Sequence, residues 1–536
     1  MPTLNWIGRE AVATHHFKVP FHLLRDVPDM GCGDDSDNLI VQGDNLVVLK
    51  ALLPYYRGQV KCIYIDPPYN TGNEGWIYND NVNSPVMREW LGKVVGKEGE
   101  MLDRHDRWLC MMYPRLSLLW EFLREDGAIF VSLDDNEIHN LRVLMDGIFG
   151  TKNFVANIVW QKRTSPDARL QLGPAHDYIT CYAKQMDSFK KTINPLKLSE
   201  QQAKSYKNPD NDPRGLWTST DCTAQAGHGT KDQFYTLTTP AGRVVELPNS
   251  LCWRFTQKRM QEEIAAGRIW FGKDGKGVPR KKTYLSENEG VVPWTWWDNK
   301  EVGHNQEATK ELISIMGAND VFDTPKPVRL IDRIIQISTN SGDLILDSFA
   351  GSGTTGHAVL KLNADNPDKP SRRFILVELE PTIANPVTAE RVRRVARGYT
   401  NAKGEKIAGL GGGFRFCELG DPLADATGNI RLSVKFGELA RHVWFSETGT
   451  PLPRVRVTNN PLLGVHNGTA IYLLYNGVLG DESVNGGNVL TRKILAMLPP
   501  HDGPRIVYCA GCLLGAERLR AERIQIRQTP YAIKTA

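Results

Sequence analysis

The sequence contains no apolar run of about 18 residues, which is the length that a membrane-spanning helix requires. Its first twenty residues, MPTLNWIGREAVATHHFKVP, also lack the apolar core of a secretory signal peptide. These two absences predict a cytoplasmic protein that has no contact with a membrane.

Cysteine is sparse and unpatterned. Nine cysteines are scattered over 536 residues, an odd number without the spacing of a disulfide framework. Such usage is typical of reduced thiols in a cytoplasm. Only Cys509 and Cys512 form a CxxC, and no second pair follows to complete a zinc ribbon. We therefore predict no metal site.

The net charge of +4 is small, but it is unevenly distributed. Between Lys184 and Lys282 there are 18 lysines and arginines against 10 acidic residues, a net charge of +8. A basic segment of this kind suits a polyanionic partner such as nucleic acid. A solvated surface without a partner is the alternative interpretation.

Short apolar segments alternate with helical patterns over much of the chain. Leu39–Val41 and Cys62–Ile65 are apolar without alternation, as in parallel strands covered on both faces. A helix is predicted at Trp108–Arg124, with Gly127 as its stop signal. The same alternation returns at Pro327–Thr339 and continues to about residue 400. The sequence therefore predicts an α/β fold with a mostly parallel sheet.

Composition divides the chain into five predicted segments. Periodicity is weak between residues 184 and 293, where Gly, Pro, Lys and scattered aromatic residues dominate, and this indicates an inserted domain. Strand patterns such as VRVT and TAIYLLY become commoner after residue 420. The segments are an N-terminal arm (1–38), two halves of the α/β domain (39–183 and 294–400), the insert (184–293) and a C-terminal α+β domain (420–536).

A glycine-rich turn, DSFAGSGTTG at Asp347–Gly356, joins a predicted strand to a helix. Glycines let the backbone approach a ligand, and the free N–H groups of the helix can bind it. Glu378 ends the next strand, where a carboxylate can accept hydrogen bonds from both hydroxyls of a ribose. Gly351, Gly353 and Gly356 match GxGxxG, so NAD binding and a simple strand–helix turn are both alternatives.

A second motif, DPPY at Asp66–Tyr69, follows the apolar strand CIYI. A rigid turn alone would explain Pro67 and Pro68, since proline fixes φ and removes a donor. It would not explain a carboxylate and an aromatic ring at the carboxyl edge of a parallel sheet, where α/β proteins bind ligands.

The DPPY side chains suit chemistry on an aromatic amine. An exocyclic amino group of a nucleobase is a poor nucleophile because its lone pair is drawn into the ring. The Asp66 carboxylate and the Pro67 carbonyl can each accept a hydrogen bond from one N–H of the amino group, which frees the lone pair on its nitrogen. Tyr69 can stack on the base. Catalysis would then consist chiefly of orientation and electrostatics.

At these two motifs the chain resembles the amino-group DNA methyltransferases. DPPY resembles their catalytic motif and FAGSG (Phe349–Gly353) their cofactor motif, and the catalytic motif comes first, as in the circularly permuted β arrangement. VQGDNLVVLKAL (Val41–Leu52) and TPKPVRLIDRII (Thr324–Ile335) are similar to flanking segments. The chain most resembles the adenine-specific modification (Mod) subunits of type III restriction systems, over about residues 5 to 395.

The resemblance implies a Rossmann-like fold dependent on S-adenosylmethionine, and a role for each motif residue. Asp66, Pro67, Pro68 and Tyr69 would form the catalytic motif, and aspartate at its first position favours adenine over cytosine. The cofactor-binding residues would be Asp44, Lys326, Asp347, Phe349, Gly351, Gly353, Thr354 and Glu378. Ser348 stands where the family often has proline.

The target amine lies inside double-stranded DNA, so the base must be flipped out. Trp160 and Phe154 are candidates to stack on its other face, with core packing as the alternative for each. The basic insert, which carries interleaved aromatic residues such as Trp217 and Trp270, is the candidate target-recognition domain.

The resemblance also implies partners. The C-terminal domain could bind a restriction subunit with helicase and nuclease activity, or a second copy of this chain. The sequence has no GxxxxGK[ST] loop, so ATP-driven translocation would belong to the partner. The competing hypotheses are an NAD-dependent enzyme, a methyltransferase for the cytosine amino group, RNA or protein glutamine, and a DNA-binding subunit without activity.

Overall fold

The computed structural model describes residues 4–33, 37–71, 85–95, 103–165, 171–452, 460–475, 478–479, 487–530 and 532–533. Contacts divide the chain into two compact units. The first unit combines Met1–Asn194 with Trp294–Ala536, and the second is Pro195–Pro293. No helix among the described residues is long and apolar enough to cross a membrane.

Ten strands of the described chain form one sheet in the first unit. In chain order they are β1 (His22–Asp26), β2 (Leu39–Gln42), β3 (Val60–Ile65), β4 (Leu123–Leu133), β5 (Phe154–Gln161), β6 (His176–Ala183), β7 (Trp296–Trp297), β8 (Leu344–Asp347), β9 (Arg373–Glu378) and β10 (Arg415–Pro422). Across the sheet the order is β1-β10-β2-β9-β8-β3-β4-β6-β5-β7. The strands from β10 to β4 are parallel to one another, whereas β6 runs antiparallel to both of its neighbours. The mostly parallel α/β sheet that the sequence predicts is confirmed.

The central strands are short and apolar because they are covered on both faces. Every residue of β3 and of β8 is buried. The helices of the sheet region that are referred to below are α1 (Asn45–Tyr56), α2 (Arg104–Phe122), α3 (Ile138–Phe149), α4 (Val328–Ser338), α5 (Thr354–Ala364) and α6 (Glu390–Arg397). Further helices lie at Arg9–Ala13, His15–Lys18, Pro85–Val95, Met186–Phe189, Asn299–Val302, Asn305–Met316 and Pro381–Ile383.

The prediction that Gly127 stops a helix is wrong. Helix α2 ends at Phe122, and Gly127 lies inside strand β4. A Cβ atom at this position would lie 2.9 Å from the carbonyl oxygen of Val60 and 3.0 Å from that of Lys61. The glycine is therefore required where the backbones of β3 and β4 come close together.

The C-terminal region contains a second sheet within the first unit. Its strand order is Leu462–His466, Thr469–Leu473, Arg505–Cys509 and Ile524–Gln528. Helices lie at Phe436–Thr448, Arg492–Met497 and Ala516–Ala521. The expected strand VRVT lies outside the described residues.

The second unit has a small core of its own, which includes Cys222, Trp253, Met260 and Phe271. Its helices are Glu200–Ala203 and Gln257–Ala265, and its strands are Trp217–Asp221, Thr223–Gln225, Leu237–Thr238, Val244–Val245, Leu251–Trp253, Ile269–Trp270 and Arg280–Tyr284. The unit lies inside the stretch 184–293 that the sequence analysis marks as an insert, but begins at Pro195.

Candidate active site

The two sequence motifs meet because their strands are neighbours. Strand β8, which ends at Asp347, pairs in parallel with β3 on one side and with β9 on the other. Asp66 directly follows β3, and Glu378 is the last residue of β9. Since parallel neighbours end at the same edge of a sheet, all three carboxylates belong to one carboxyl edge, where α/β proteins bind ligands.

The two carboxylate oxygens of Asp66 differ in their bonding to the described residues. Its Oδ2 accepts a hydrogen bond from the ammonium group of Lys326. Among the described residues, its Oδ1 is buried and has no hydrogen-bond partner. Asp66 therefore keeps a free acceptor in a site that excludes much of the solvent, since 17% of its side chain is exposed.

Hydrogen bonds with residues outside the motif support the rest of the DPPY turn. The indole N–H of Trp108 donates to the carbonyl oxygen of Pro68 at 2.7 Å. Asn70, in the left-handed region with φ of 58°, donates its amide to the carbonyl oxygen of Arg104 at 3.0 Å and to the carboxylate of Glu137. These bonds fix the second half of a turn whose prolines already restrict the backbone.

Glu137 is a buried support that the sequence analysis does not identify. Its side chain is inaccessible to solvent, and its carboxylate also accepts from Asn140 at 2.8 Å. His105 Nδ1 lies 2.7 Å from Glu137 Oε1. No local motif marks the contacts of Glu137 with Asn70 and His105, because they join residues more than 30 positions apart.

Tyr69 lies partly buried against the core of the sheet region. Burial raises the pKa of its hydroxyl well above the ordinary value, and the charge of Asp66 adds to that effect. In the described part of the chain the hydroxyl has no hydrogen-bond partner. The Lys326 ammonium lies 5.1 Å from the centroid of the ring, within the range of a cation–π contact.

The glycine turn is ordered by bonds to Asp347 and Glu378. Asp347 accepts from the backbone N–H of Phe349 at 3.0 Å and from the hydroxyl of Thr355 at 2.5 Å. Burial raises the pKa of Asp347 to about 7. Glu378 accepts from the N–H of Gly351 at 2.9 Å, so the predicted ribose ligand already contacts the turn.

The backbone of the turn needs its glycines. Gly351 and Gly353 have φ of 49° and 77°, in the left-handed region. A Cβ atom on Gly353 would lie 2.9 Å from the carbonyl oxygen of Thr388. The hydroxyl of Thr388 in turn donates to the carbonyl oxygen of Gly351 at 2.5 Å.

A fully buried arginine supports the start of helix α5. Arg391 donates to the hydroxyls of Ser352 at 2.9 Å and of Thr354 at 2.8 Å. Glu311 lies 3.7 Å from its guanidinium group. The basic pattern of α6 would place Arg391 on a solvated face, so the sequence analysis does not identify this role.

Asp44 caps helix α1 and connects it to the site. Its carboxylate accepts from the N–H groups of Leu46 and Val47 and from Arg115 at 3.0 Å. The neighbouring Asn45 donates to the carbonyl oxygen of Ser348 at 3.0 Å. The Ser348 hydroxyl is buried and has no partner among the described residues.

The two predicted stacking aromatics lie at opposite ends of β5. Trp160 is fully buried, and its indole N–H donates to the carbonyl oxygen of Gly303 at 2.9 Å. Strands β4 and β5 are both antiparallel to β6, so they run in the same direction. Phe154 is the first residue of β5 and therefore lies at the edge of the sheet opposite to the carboxyl edge. Phe154 is therefore far from the two motifs, whereas Trp160 is buried at the carboxyl edge, and its stacking role stays a prediction.

A buried ion pair that the sequence analysis does not identify lies at the same edge. Asp177, near the start of β6, binds the ammonium group of Lys162, which follows β5. Burial raises the pKa of Asp177, while the charges of Lys162 and Lys326 lower it. The carboxyl edge thus carries a second ion pair besides that of Asp66 and Lys326.

Comparison with known proteins identifies relatives of this chain. The family model described as DNA methylase (N6_N4_Mtase) matches residues 60–390. The StyLTI Mod subunit of a type III restriction-modification enzyme from Salmonella typhimurium is 37% identical over 67% of this chain and 54% of its own length. The EcoPI Mod subunit from Escherichia phage P1 is 32% identical over 71% of this chain and 64% of its own length.

The match therefore spans less than two thirds of the length of either Mod subunit. Among solved structures, the PvuII DNA methyltransferase (cytosine-N4-specific) is 14% identical, with a TM-score of 0.34, over 66% of this chain and 86% of its own.

Proposed function

Because this chain belongs to the DNA methylase family, we propose that it transfers the methyl group of S-adenosylmethionine to the exocyclic amino group of adenine in double-stranded DNA. The observation that carries the proposal is the buried Oδ1 of Asp66 beside the glycine turn, which has no hydrogen-bond partner within the described part of the chain. An NAD-dependent enzyme would leave the DPPY turn without a role.

The DPPY turn would hold the target amine. Asp66 Oδ1 and the carbonyl oxygen of Pro67 are the two acceptors, and Tyr69 supplies the stacking face. Since the turn is fixed by Trp108 and Glu137, little reorganisation is needed when the amine binds. Orientation by a preformed site is the contribution that this chemistry needs most.

The glycine turn fits the proposed cofactor. Its left-handed glycines expose backbone near two buried carboxylates, and the Ser348 hydroxyl lacks a partner there among the described residues. S-adenosylmethionine supplies a methyl group on a positively charged sulfur, an electrophile that acidic surroundings stabilise. The residues that would hold it are Asp44, Lys326, Asp347, Phe349, Gly351, Gly353, Thr354 and Glu378.

The unit Pro195–Pro293 is the proposed target-recognition domain. Its buried aromatic residues, Trp217 and Trp253, form its core and do not present base-reading surfaces. Its Lys282 is buried between Asp210 and Asp212. The proposed phosphate contacts are instead the exposed lysines Lys197, Lys204, Lys207, Lys231, Lys258, Lys273 and Lys276.

We also propose that the chain acts as a modification component alongside a restriction subunit, as the names of its relatives suggest. A second copy of the chain is the other proposed partner. The C-terminal sheet, outside the matched residues 60–390, is the proposed contact region for either.

The test is the identity of the methylated product. The protein is incubated with tritiated S-adenosylmethionine and unmethylated plasmid DNA, and the DNA is digested to nucleosides and separated. The proposal predicts label in N6-methyladenine. Label in N4-methylcytosine would show that the target base is cytosine. An absence of label would reject DNA methyltransferase activity.

A further inference from the structure

A buried arginine of helix α2, Arg115, contacts the start of helix α1. Its side chain is only 3% exposed. Each of its three nitrogen atoms has an acceptor: Nη2 donates to Oδ2 of Asp44 at 3.0 Å, Nη1 donates to the carbonyl oxygen of Met111 at 2.8 Å, and Nε donates to Oδ1 of Asn45. Because a guanidinium group is planar and rigid, these bonds fix Asp44 and Asn45 relative to α2.

Asn45 extends this contact to the glycine turn. It is buried, and while its amide oxygen accepts from Arg115, its amide nitrogen donates to the carbonyl oxygen of Ser348 at 3.0 Å. Ser348 directly follows strand β8, and Asp44 lies two residues after strand β2. Arg115 therefore connects the carboxyl ends of two strands that β9 separates in the sheet.

The order of these strands indicates which part of the proposed cofactor lies near Asp44. The order is β2-β9-β8, and Glu378, the proposed ribose ligand, ends the middle strand. A cofactor whose sulfur lies at the glycine turn after β8 therefore extends its purine base toward β2. The side chain of Asp44 is 29% exposed, so its carboxylate can accept a hydrogen bond from the exocyclic amino group of that base.

Both oxygens of the Asp44 carboxylate are held in place. Oδ1 accepts from the N–H groups of Leu46 and Val47, and Oδ2 accepts from Arg115. Each carboxylate oxygen can accept more than one hydrogen bond, so these contacts fix its orientation and leave room for a ligand. Burial lowers the pKa of Arg115 while the charge of Asp44 raises it, so each group compensates the charge of the other.

We infer that Arg115 is a positioning residue for recognition of the cofactor's adenine base. It orients the carboxylate of Asp44 toward the amino group of that base, and through Asn45 it connects Asp44 to the glycine turn. This inference rests on the proposed function. It assigns Arg115 to cofactor binding and not to the transfer step.

The test measures recognition of the amino group by isothermal titration calorimetry, without methyl transfer. Two ligands are compared. One is S-adenosylhomocysteine, the cofactor without its methyl group, and the other is its analogue with purine in place of adenine, which lacks the amino group. The wild-type protein should bind the adenine ligand about tenfold more tightly, which is the usual effect of one hydrogen bond to a charged group.

Arg115→Met should bind the adenine ligand about tenfold more weakly than the wild type and bind the purine ligand as before, so that the preference disappears. Asp44→Asn keeps a helix-capping oxygen but replaces Oδ2 by a donor, and it should lose the same preference. The double variant should show no further loss, because both changes remove one interaction. The control is Lys61→Met, which removes a fully buried charge at the amino end of β3 and should keep the preference.

Three results would overturn the inference. They are a wild-type protein that binds both ligands equally, a folded Arg115→Met protein that keeps the preference, and a loss of affinity in that variant that is equal for the two ligands, which would show a purely structural role. If Arg115→Met does not fold, Arg115→Lys retains the buried charge but cannot reach all three acceptors, and it should also lose the preference. A wild-type protein that binds neither ligand would instead reject the proposed function.

Discussion

At the residue scale, three buried polar atoms without partners collect near the carboxyl edge of the sheet. They are Asp66 Oδ1 and the hydroxyls of Tyr69 and Ser348, all within the described part of the chain. Leaving one buried polar group unsatisfied costs about 1–3 kcal/mol. Such groups are expected where a ligand completes the bonding, so this edge is less stable alone than with its substrates.

Asp347 should make stability depend on pH. Burial raises its folded pKa from 3.8 to about 7, so the folded protein keeps a proton that the unfolded chain releases near pH 4. The contribution of Asp347 to stability is therefore most favourable at low pH and falls as the pH rises from about 4 through 7. The side chain introduced by Asp347→Asn cannot ionise, so this variant should not show the same loss of stability as the pH rises.

The measurement is urea unfolding of both proteins between pH 5 and pH 8. The free energy of unfolding of the wild type should fall relative to that of Asp347→Asn by about 2–3 kcal/mol over this range, at about 1.4 kcal/mol per pH unit below the folded pKa. Parallel curves for the two proteins would show that Asp347 does not carry the raised pKa.

At the element scale, each motif is a turn supported by distant residues. The DPPY turn depends on Trp108 and Glu137, and the glycine turn depends on Thr388 and Arg391. The turns themselves follow from local chemistry, because proline and glycine restrict or permit particular backbone angles. Their supports come from other elements, so no local pattern reveals them.

Gly127 gives a direct test of how closely β3 and β4 approach. Gly127→Ala should lower the free energy of unfolding by about 2 kcal/mol or more, because its Cβ atom would lie 2.9 Å from the carbonyl oxygen of Val60. Gly147→Ala is the matched control. It lies within helix α3 with no atom within 4 Å of the added Cβ, and should stabilise by about 0.5–1 kcal/mol.

Urea unfolding of both variants measures these effects. Equal effects of the two substitutions would contradict the close strand approach. The sequence alone does not reveal this need for glycine, since its pattern makes Gly127 a helix stop signal. Only the neighbouring strand, more than 60 residues away in sequence, makes Gly127 necessary.

Because sequence patterns are local, they predict some residues of the site and miss others. Asp66, Tyr69, Asp347, Gly351 and Glu378 can be proposed because strand ends and glycine turns have local signatures. Lys162, Glu137 and Arg391 have none. Trp160 is a different case, since an aromatic residue at the end of a strand has the same sequence pattern whether it faces a ligand or the core.

At the scale of the whole molecule, the lysines of the insert are of two kinds, one buried in ion pairs and the other exposed. Lys282 is buried with two aspartates and supports the core of the unit Pro195–Pro293. Lys273 and Lys276 are exposed, and no ion pair involving them is found among the described residues. Net charge alone therefore overstates the number of side chains available to phosphates.

The proposed recognition role can be tested with paired lysines. Lys273→Ala with Lys276→Ala should weaken DNA binding at low salt and reduce the slope of log K against log salt by up to about 2, roughly 0.9 for each phosphate that the variant no longer neutralises. The control is Lys403→Ala with Lys406→Ala, an equally spaced pair that is also exposed. An equal reduction for both pairs would indicate general electrostatics and count against the insert.

The central claim is that Asp66 activates the target amine, and a single-turnover experiment on Asp66→Ala tests it most directly. Cofactor and DNA are supplied above their dissociation constants, so that only the transfer step is measured. We predict that both ligands bind within about tenfold of the wild type, while the transfer rate falls by at least about 100-fold. A variant that transfers methyl groups at a rate close to that of the wild type would contradict the claim.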